Sequence, residues 1–192
     1  MIDALAQALA GALAARERAV LERPESTAAA VLVPLLEIDG EPHLLFTRRA
    51  SWLTHHQGQV AFPGGRHHPE EDRDLATTAL REAHEEIGLD PAHVRLLGAL
   101  DDIETIATRY VITPYVGLVP YPYQWIPCPQ EVDAIFTVPL AVLRSPDVER
   151  QEVWDFDGKR VPIDIYPVAG HVIWGATHRI TRNLLGVLGT LA

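Results

Sequence analysis

Three glutamates, Glu82, Glu85 and Glu86, stand at a spacing that chemistry can use. An α-helix advances about 100° per residue, so these carboxylates fall within an arc of about 100°. The apolar set Ala76, Ala79, Leu80, Ala83 and Ile87 gathers on a separate arc, roughly 130° away. One helix therefore has a core face and an acid face. Like charges at helical spacing cost about 0.2–0.5 kcal/mol per pair, so the acid face asks for compensation. Arg81, four residues before Glu85, can pair with it, but one guanidinium does not neutralise three carboxylates. A hard divalent cation does, because Mg²⁺ takes carboxylate oxygens, keeps waters and shares the rest of its shell with substrate phosphates. Taken alone, such a run is more often a solvated helix face, glutamate being a good helix former. The flanks change that weighting. Phe62-Pro63-Gly64-Gly65 exposes backbone ahead of the helix, and Gly88 after Ile87 reads as its C-terminal cap. The segment reads as a binding site for divalent metal and pyrophosphate.

The run from Gly64 to Leu89 resembles the Nudix box, the signature of hydrolases that cleave nucleoside diphosphates linked to another group. Arg81, Glu82, Ala83, Glu85, Glu86, Gly88 and Leu89 fill its second half in order. In the first half, nine residues separate Glu71 from Arg81 where the pattern has seven, and Arg73 occupies the position the pattern gives to an acid. Glu70, Glu71, Asp72 and Asp74 are all candidates for the loop carboxylate. The preceding segment is similar to the motif of the coenzyme A pyrophosphatase branch of the family. Leu45, Thr47, Arg49, Ala50, Gly58, Phe62, Pro63, Gly64 and Gly65 match in register, and Thr54 stands where that motif has arginine. Segments 111–119, 131–140 and 173–185 also resemble this branch, so the likeness runs from about Val31 to Leu185.

The resemblance implies a mixed sheet sandwiched between helices, and metal-dependent hydrolysis of coenzyme A or its derivatives to 3′,5′-ADP and 4′-phosphopantetheine. It also implies that Glu82, Glu85, Glu86 and the Gly65 carbonyl hold Mg²⁺ or Mn²⁺. Arg81 then orients the glutamates. Arg48, Arg49 and Arg66, with the backbone of Gly64 and Gly65, are candidates for holding phosphate. Glu131, on a loop downstream of the box, is a candidate general base, with Glu85 as the alternative. Hydrolysis of ADP-ribose, a dinucleotide or a nucleoside triphosphate is the main competing reading. A non-catalytic ligand sensor is disfavoured, since every acid of the second half of the box is present.

The remaining composition suits a small-molecule enzyme. The 192 residues are 47% hydrophobic and 22% charged, enough for one domain with a sizeable core. A net charge of −10 and the absence of a basic stripe disfavour nucleic acid as a partner, and make bound cations necessary for an anionic substrate. The single cysteine, Cys128, rules out an internal disulfide and reads as a small filler. His55, His56, His67 and His68 form two pairs, but adjacent histidines point different ways and no zinc spacing accompanies them. His84 lies off the acid face of the helix.

Around these residues the chain alternates strand and helix signals, which gives the α/β class. Residues 1–27 read as an amphipathic helix, with Leu5, Leu9 and Leu13 on one side, and a linker around Pro24. The helix lacks a basic start and is broken by Gln7 and by Arg16, Glu17 and Arg18, so a secretory signal is not expected there. No apolar window is long enough to span a bilayer, and a cytoplasmic, membrane-free protein is expected. Residues 28–192 form the main domain. Strands are expected over 28–36 and 43–47 around the Asp39-Gly40 turn, and over 94–100 and 110–119. A proline-rich loop is expected over 121–130 and a helix after Pro139. Short strands over 161–168 and 171–174 and a final helix over 177–188 complete the chain.

Overall fold

A computed structural model describes residues 2–53, 57–105, 109–156 and 158–191. In chain order its elements are α1 (Ile2–Ala15), β1 (Thr27–Ile38), β2 (Glu41–Arg49), β3 (Val60–Ala61), β4 (Gly64–Arg66) and α2 (Leu75–Ile87). There follow β5 (Arg95–Ala99), β6 (Ile103–Glu104), β7 (Tyr110–Leu118), β8 (Val132–Pro139) and α3 (Leu140–Leu143). The chain ends with β9 (Arg150–Phe156), β10 (Lys159–Val168), β11 (His171–Trp174) and α4 (Gly175–Gly189).

The run Ala29 to Leu36 is almost continuously apolar because β1 is central and buried on both faces. The Asp39-Gly40 turn takes left-handed φ values of 51° and 82°, which suit this residue pair and return the chain antiparallel as β2. On its other edge β1 runs parallel to β7, and β5 and β6 pair antiparallel with β7. β8 covers the far edge of β2.

A split in this mixed sheet positions the site. Beyond Leu35 and Leu44, β1 and β2 part. β3 then pairs with β2 and β4 pairs with β1, so Phe62 and Pro63 turn across the gap and bring the glycine pair to its edge. The Leu32 N–H donates to the Pro63 carbonyl at 2.8 Å and fixes that turn.

Helices cover both faces. α2 lays Ala79, Ala83 and Ile87 on Ala30, Leu32, Leu36 and Leu45. Leu9 and Leu13 of α1 and Ile180 and Leu184 of α4 pack on Val33, Leu35, Leu44 and Phe46 of the opposite face. Each such large side chain, fully buried, contributes about 1.5–3 kcal/mol. This is the sandwiched mixed sheet that the sequence led us to expect. Among the described residues no helix is long and apolar enough to cross a membrane.

The short strands β3, β4 and β6 were not expected from the sequence reading, and larger details differ as well. β8 and β9 are strands that it had not assigned, and the helix after Pro139 is a single turn. β9 reads RQEVWDF, with too many charges to signal a strand, and it forms because it sits at an exposed edge pairing with β10 alone.

Candidate active site

α2 is held firmly at both ends. Asp74 caps its start, accepting from the Thr77 N–H at 2.8 Å and the Thr77 hydroxyl at 2.9 Å. At its end Gly88 adopts φ 69°, and the N–H groups of Gly88 and Leu89 donate to the carbonyls of His84 and Ala83. The proline-rich loop takes the carbonyls left over: the Cys128 N–H donates to Glu86 and the Ile126 N–H to Ile87, at 2.8 and 2.9 Å. The loop thereby delivers Glu131, whose carbonyl accepts the Ala50 N–H at 2.9 Å. The end of β2, the loop and the helix meet at one place.

β4 threads between β1 and the acid face. A side chain on Gly64 would run into the Ala30 carbonyl and the Val31 backbone, and a Cβ on Gly65 would lie 2.5 Å from the Glu82 carboxyl. Only glycine permits this double approach. It sets the Gly65 backbone directly beside Glu82.

Arg81 organises the carboxylates. Its Nε and Nη2 donate to the two oxygens of Asp72 at 2.8 and 3.0 Å. Nη1 lies 2.9 Å from Glu82 Oε1 and 2.9 Å from Glu85 Oε2, and Nη2 also reaches the Arg66 carbonyl at 3.2 Å. Asp72 is itself buried and accepts from the His68 N–H and the Thr78 hydroxyl. The Arg81 hydrogen bonds, chiefly, hold the Asp72 carboxyl well below the usual range, and Asp72 in turn raises Arg81. Of the four loop acids, Asp72 is thus the one that meets the box arginine. Asp74 is the helix cap, and Glu70 and Glu71 are exposed.

Glu86 contrasts with its neighbours. It is 3% exposed, yet among the described residues its nearest donors are the Gly64 N–H at 3.3 Å and Arg49 Nη1 at 3.9 Å. Burial pushes its carboxyl up to about 8; Arg49 and Gly64 oppose the shift, while the charges of Glu131 and Glu82 add to it. Burial also raises Glu82, against the pull of Arg81 and with help from Glu85 and Glu131. Glu131, itself exposed, therefore sits close enough to be felt by buried Glu86 and half-buried Glu82.

The three arginines part company. Neighbours on a strand face opposite ways, so Arg49 turns to Glu86 while Arg48 pairs with Asp133, Nη2 to Oδ2 at 2.6 Å, on the side where its charge reaches His171. Arg66 is exposed. His67 Nδ1 lies 2.8 Å from the Thr78 hydroxyl and belongs to the Asp72 network, and His84 is exposed. Thr54, His55 and His56 lie outside the described residues. Thr78 was not singled out from the sequence, and His67 was weighed there only as one of the paired histidines considered for zinc. The signal for Thr78 is positional: it precedes Glu82 by one helical turn on the side that faces the loop acid.

Among the described residues no group of three or more acidic, histidine or cysteine side chains is placed to hold a metal ion by itself. The donors nevertheless fit a hard divalent ion. Carboxylate oxygens and the adjacent Gly65 backbone supply oxygen only, and Glu86 is a buried acid short of a close counter-charge.

The chain matches the NUDIX domain family over residues 26–157. It is 40% identical to the uncharacterized Nudix hydrolase NudL of Yersinia pestis over 162 residues, 81% of this chain and 77% of that one. Among solved structures it is similar to RenU, a Nudix hydrolase from M. smegmatis, with TM-score 0.59 and 19% identity over 86% of this chain and 88% of that one. It is also similar to the NUDIX domain of Shewanella oneidensis NrtR complexed with ADP ribose, with TM-score 0.51 and 22% identity over 71% and 87% of the two chains. The structural likenesses bear on the fold, and the sequence match covers both the glutamate helix and the glycine turn that feeds it, so the chain belongs to the Nudix hydrolase family.

Proposed function

We propose that this Nudix hydrolase cleaves the pyrophosphate bond of coenzyme A or an acyl derivative, releasing 3′,5′-ADP and 4′-phosphopantetheine or its acylated form. The observation that carries the substrate is the motif of Leu45, Thr47, Arg49, Ala50, Gly58 and Phe62 to Gly65. It occupies the end of β2 and the β3–β4 turn, the segment that borders the glutamates.

In this reading Glu82, Glu85, Glu86 and the Gly65 carbonyl hold Mg²⁺ or Mn²⁺. The bound ion supplies charge neutralisation for the pyrophosphate and lowers the pKa of a coordinated water. The protein's own residues do the rest. Arg81, fixed by Asp72, orients Glu82 and Glu85. Arg49 offers its guanidinium to phosphate oxygens once Glu86 is engaged by metal. Glu131 or Glu85, both exposed to solvent, takes the proton of the attacking water as the phosphorus–oxygen bond opens.

A second reading, hydrolysis of another nucleoside diphosphate derivative such as ADP-ribose or a dinucleotide, is favoured by one observation: Thr54 stands where the coenzyme A branch has arginine. Purified protein given coenzyme A, ADP-ribose, NADH and dGTP in parallel with Mg²⁺ or Mn²⁺ separates the two. Selective release of 3′,5′-ADP from coenzyme A is the expected result. Preferential cleavage of another substrate keeps the metal-pyrophosphate chemistry and overturns the substrate, and no metal-dependent cleavage overturns both.

A further inference from the structure

The hairpin of β9 and β10 is under-supported within its own chain. β11 pairs with β10 only from Ile165 to Val168, so the outer part of the hairpin, from Gln151 and Asp164 to its tip, is two-stranded. A two-stranded ribbon without further packing is marginal in water. This one nevertheless carries large apolar side chains: Val153 is 55% and Phe156 42% exposed, and the rings of Trp154, Phe156 and Trp174 lie within 5.1–6.4 Å of one another on one face. β9 is also an edge strand, with one row of backbone donors and acceptors unused by the sheet.

We propose that this edge is where a second copy of the same chain docks, β9 against β9 in antiparallel pairing about a two-fold axis through Val153. Self-association of a chain with net charge −10 is disfavoured at long range, so its interface must be locally neutral. The two strands meet that demand, since Arg150, Lys159 and Arg160 balance Glu152, Asp155 and Asp164. The order of residues meets it more sharply. Pairing about Val153 sets Arg150 opposite Phe156, Gln151 opposite Asp155 and Glu152 opposite Trp154, with no like charges face to face. Charges on an edge strand ordinarily block pairing. Here the order of residues opposes no like charges across the axis, which leaves an isologous pairing open. Val153, the most exposed apolar residue of the strand, lies at the centre and is covered by its own copy.

Sedimentation of the full chain tests the proposal. The wild type is expected to run as a dimer, and Val153→Lys, which sets two ammonium groups against each other, at half that mass with an unchanged circular dichroism spectrum. A second pair of variants fixes the register without relying on disruption. In a Cys128→Ser background, Val153→Cys is expected to form an interchain disulfide on oxidation, whereas Gln151→Cys, displaced from the axis, is not. A wild type that is monomeric throughout, a Val153→Lys protein that stays dimeric, or equal cross-linking at 151 and 153 overturns the proposal.

Discussion

The molecule holds two acidic clusters that are built in opposite ways. Asp101 and Asp102, between β5 and β6, are saturated with donors. Asp101 accepts from Arg16 at 2.7 Å, the Ala19 N–H at 2.9 Å and the Asn183 amide at 2.7 Å. Asp102 pairs with Arg18 and accepts from the Leu21 N–H at 2.9 Å and the Thr113 hydroxyl at 2.7 Å. Burial works against the charge of Asp101, yet Ala19, Asn183 and Arg16 together hold its carboxyl below the usual range. At Glu86 burial wins. A carboxylate that pins one segment to another is surrounded by partners, here tying residues 16–21 to the domain. Glu86, the carboxylate we propose to serve a cation, is buried with its described partners too far away to satisfy it. Number of acids and degree of burial do not separate the clusters; completeness of hydrogen bonding does.

The most direct way to break this contrast is to replace the unsatisfied acid. Glu86→Gln keeps the shape and removes the charge, and hydrolysis is expected to fall by about two orders of magnitude or more. Stability should move the other way. With its folded-state pKa raised from 4.5 to about 8, the Glu86 proton is retained by the folded chain where the unfolded chain has lost it. The associated stability is fully present below about 4.5 and is lost as pH rises toward 8. In chelator the wild type should therefore show a melting temperature that declines over that window, and Glu86→Gln should lack that part of the decline. Divalent ion should restore the wild type at high pH and leave the variant little changed. Near-normal turnover in Glu86→Gln would sink the assignment.

The converse variant acts on the saturated cluster. Asp102→Ala strands the Leu21 N–H and the Thr113 hydroxyl and releases Arg18, at a cost of about 2 kcal/mol. For a chain of this length that corresponds to roughly 4–8 °C in melting temperature. Turnover per folded molecule should be unchanged, because the cluster serves the N-terminal segment rather than the acid face of α2. A large fall in turnover at unaltered melting temperature would show that the two clusters are not separated in role as their bonding implies.

The sequence exposed the acid cluster on α2 more fully than the saturated one, and the reason is range. The arc of Glu82, Glu85 and Glu86, the cap at Gly88 and the turn at Asp39-Gly40 follow from residue spacing and local backbone preference, and the structure has each of them. The partner of Arg81 does not follow, since four acids crowd the loop and only the bend at His68 to Asp72 decides which one is buried. Asp101 and Asp102 gave no signal either. Their donors, Arg16, Arg18 and Asn183, lie more than eighty residues away in sequence and meet them only through the packing of α1 and α4. β9 escaped for a related reason: its charges speak against a strand, and its pairing with β10 is what overrides them.

The smallest expected effect sharpens the comparison within a single strand. Arg48 and Arg49 are neighbours of identical chemistry, and although only Arg49 matches the motif, residue type and position alone left both as candidates for the phosphate-binding cation. The pleat of β2 does choose. Arg48 has its charge met by Asp133 at 2.6 Å, whereas Arg49 stands 3.9 Å from Glu86, in a contact too long to satisfy either group. On the proposed metal assignment, Arg49 is, of the two β2 arginines, the one whose described contacts leave it to meet phosphate oxygens. Arg49→Ala is therefore expected to raise KM about tenfold, the equivalent of about 1.4 kcal/mol, with a smaller change in kcat. Arg48→Ala loses an exposed ion pair worth at most about 1 kcal/mol of stability and should leave KM unchanged. Steady-state kinetics on the pair of variants reads both numbers, and equal effects on KM would mean that the strand's alternation does not decide which arginine meets the substrate.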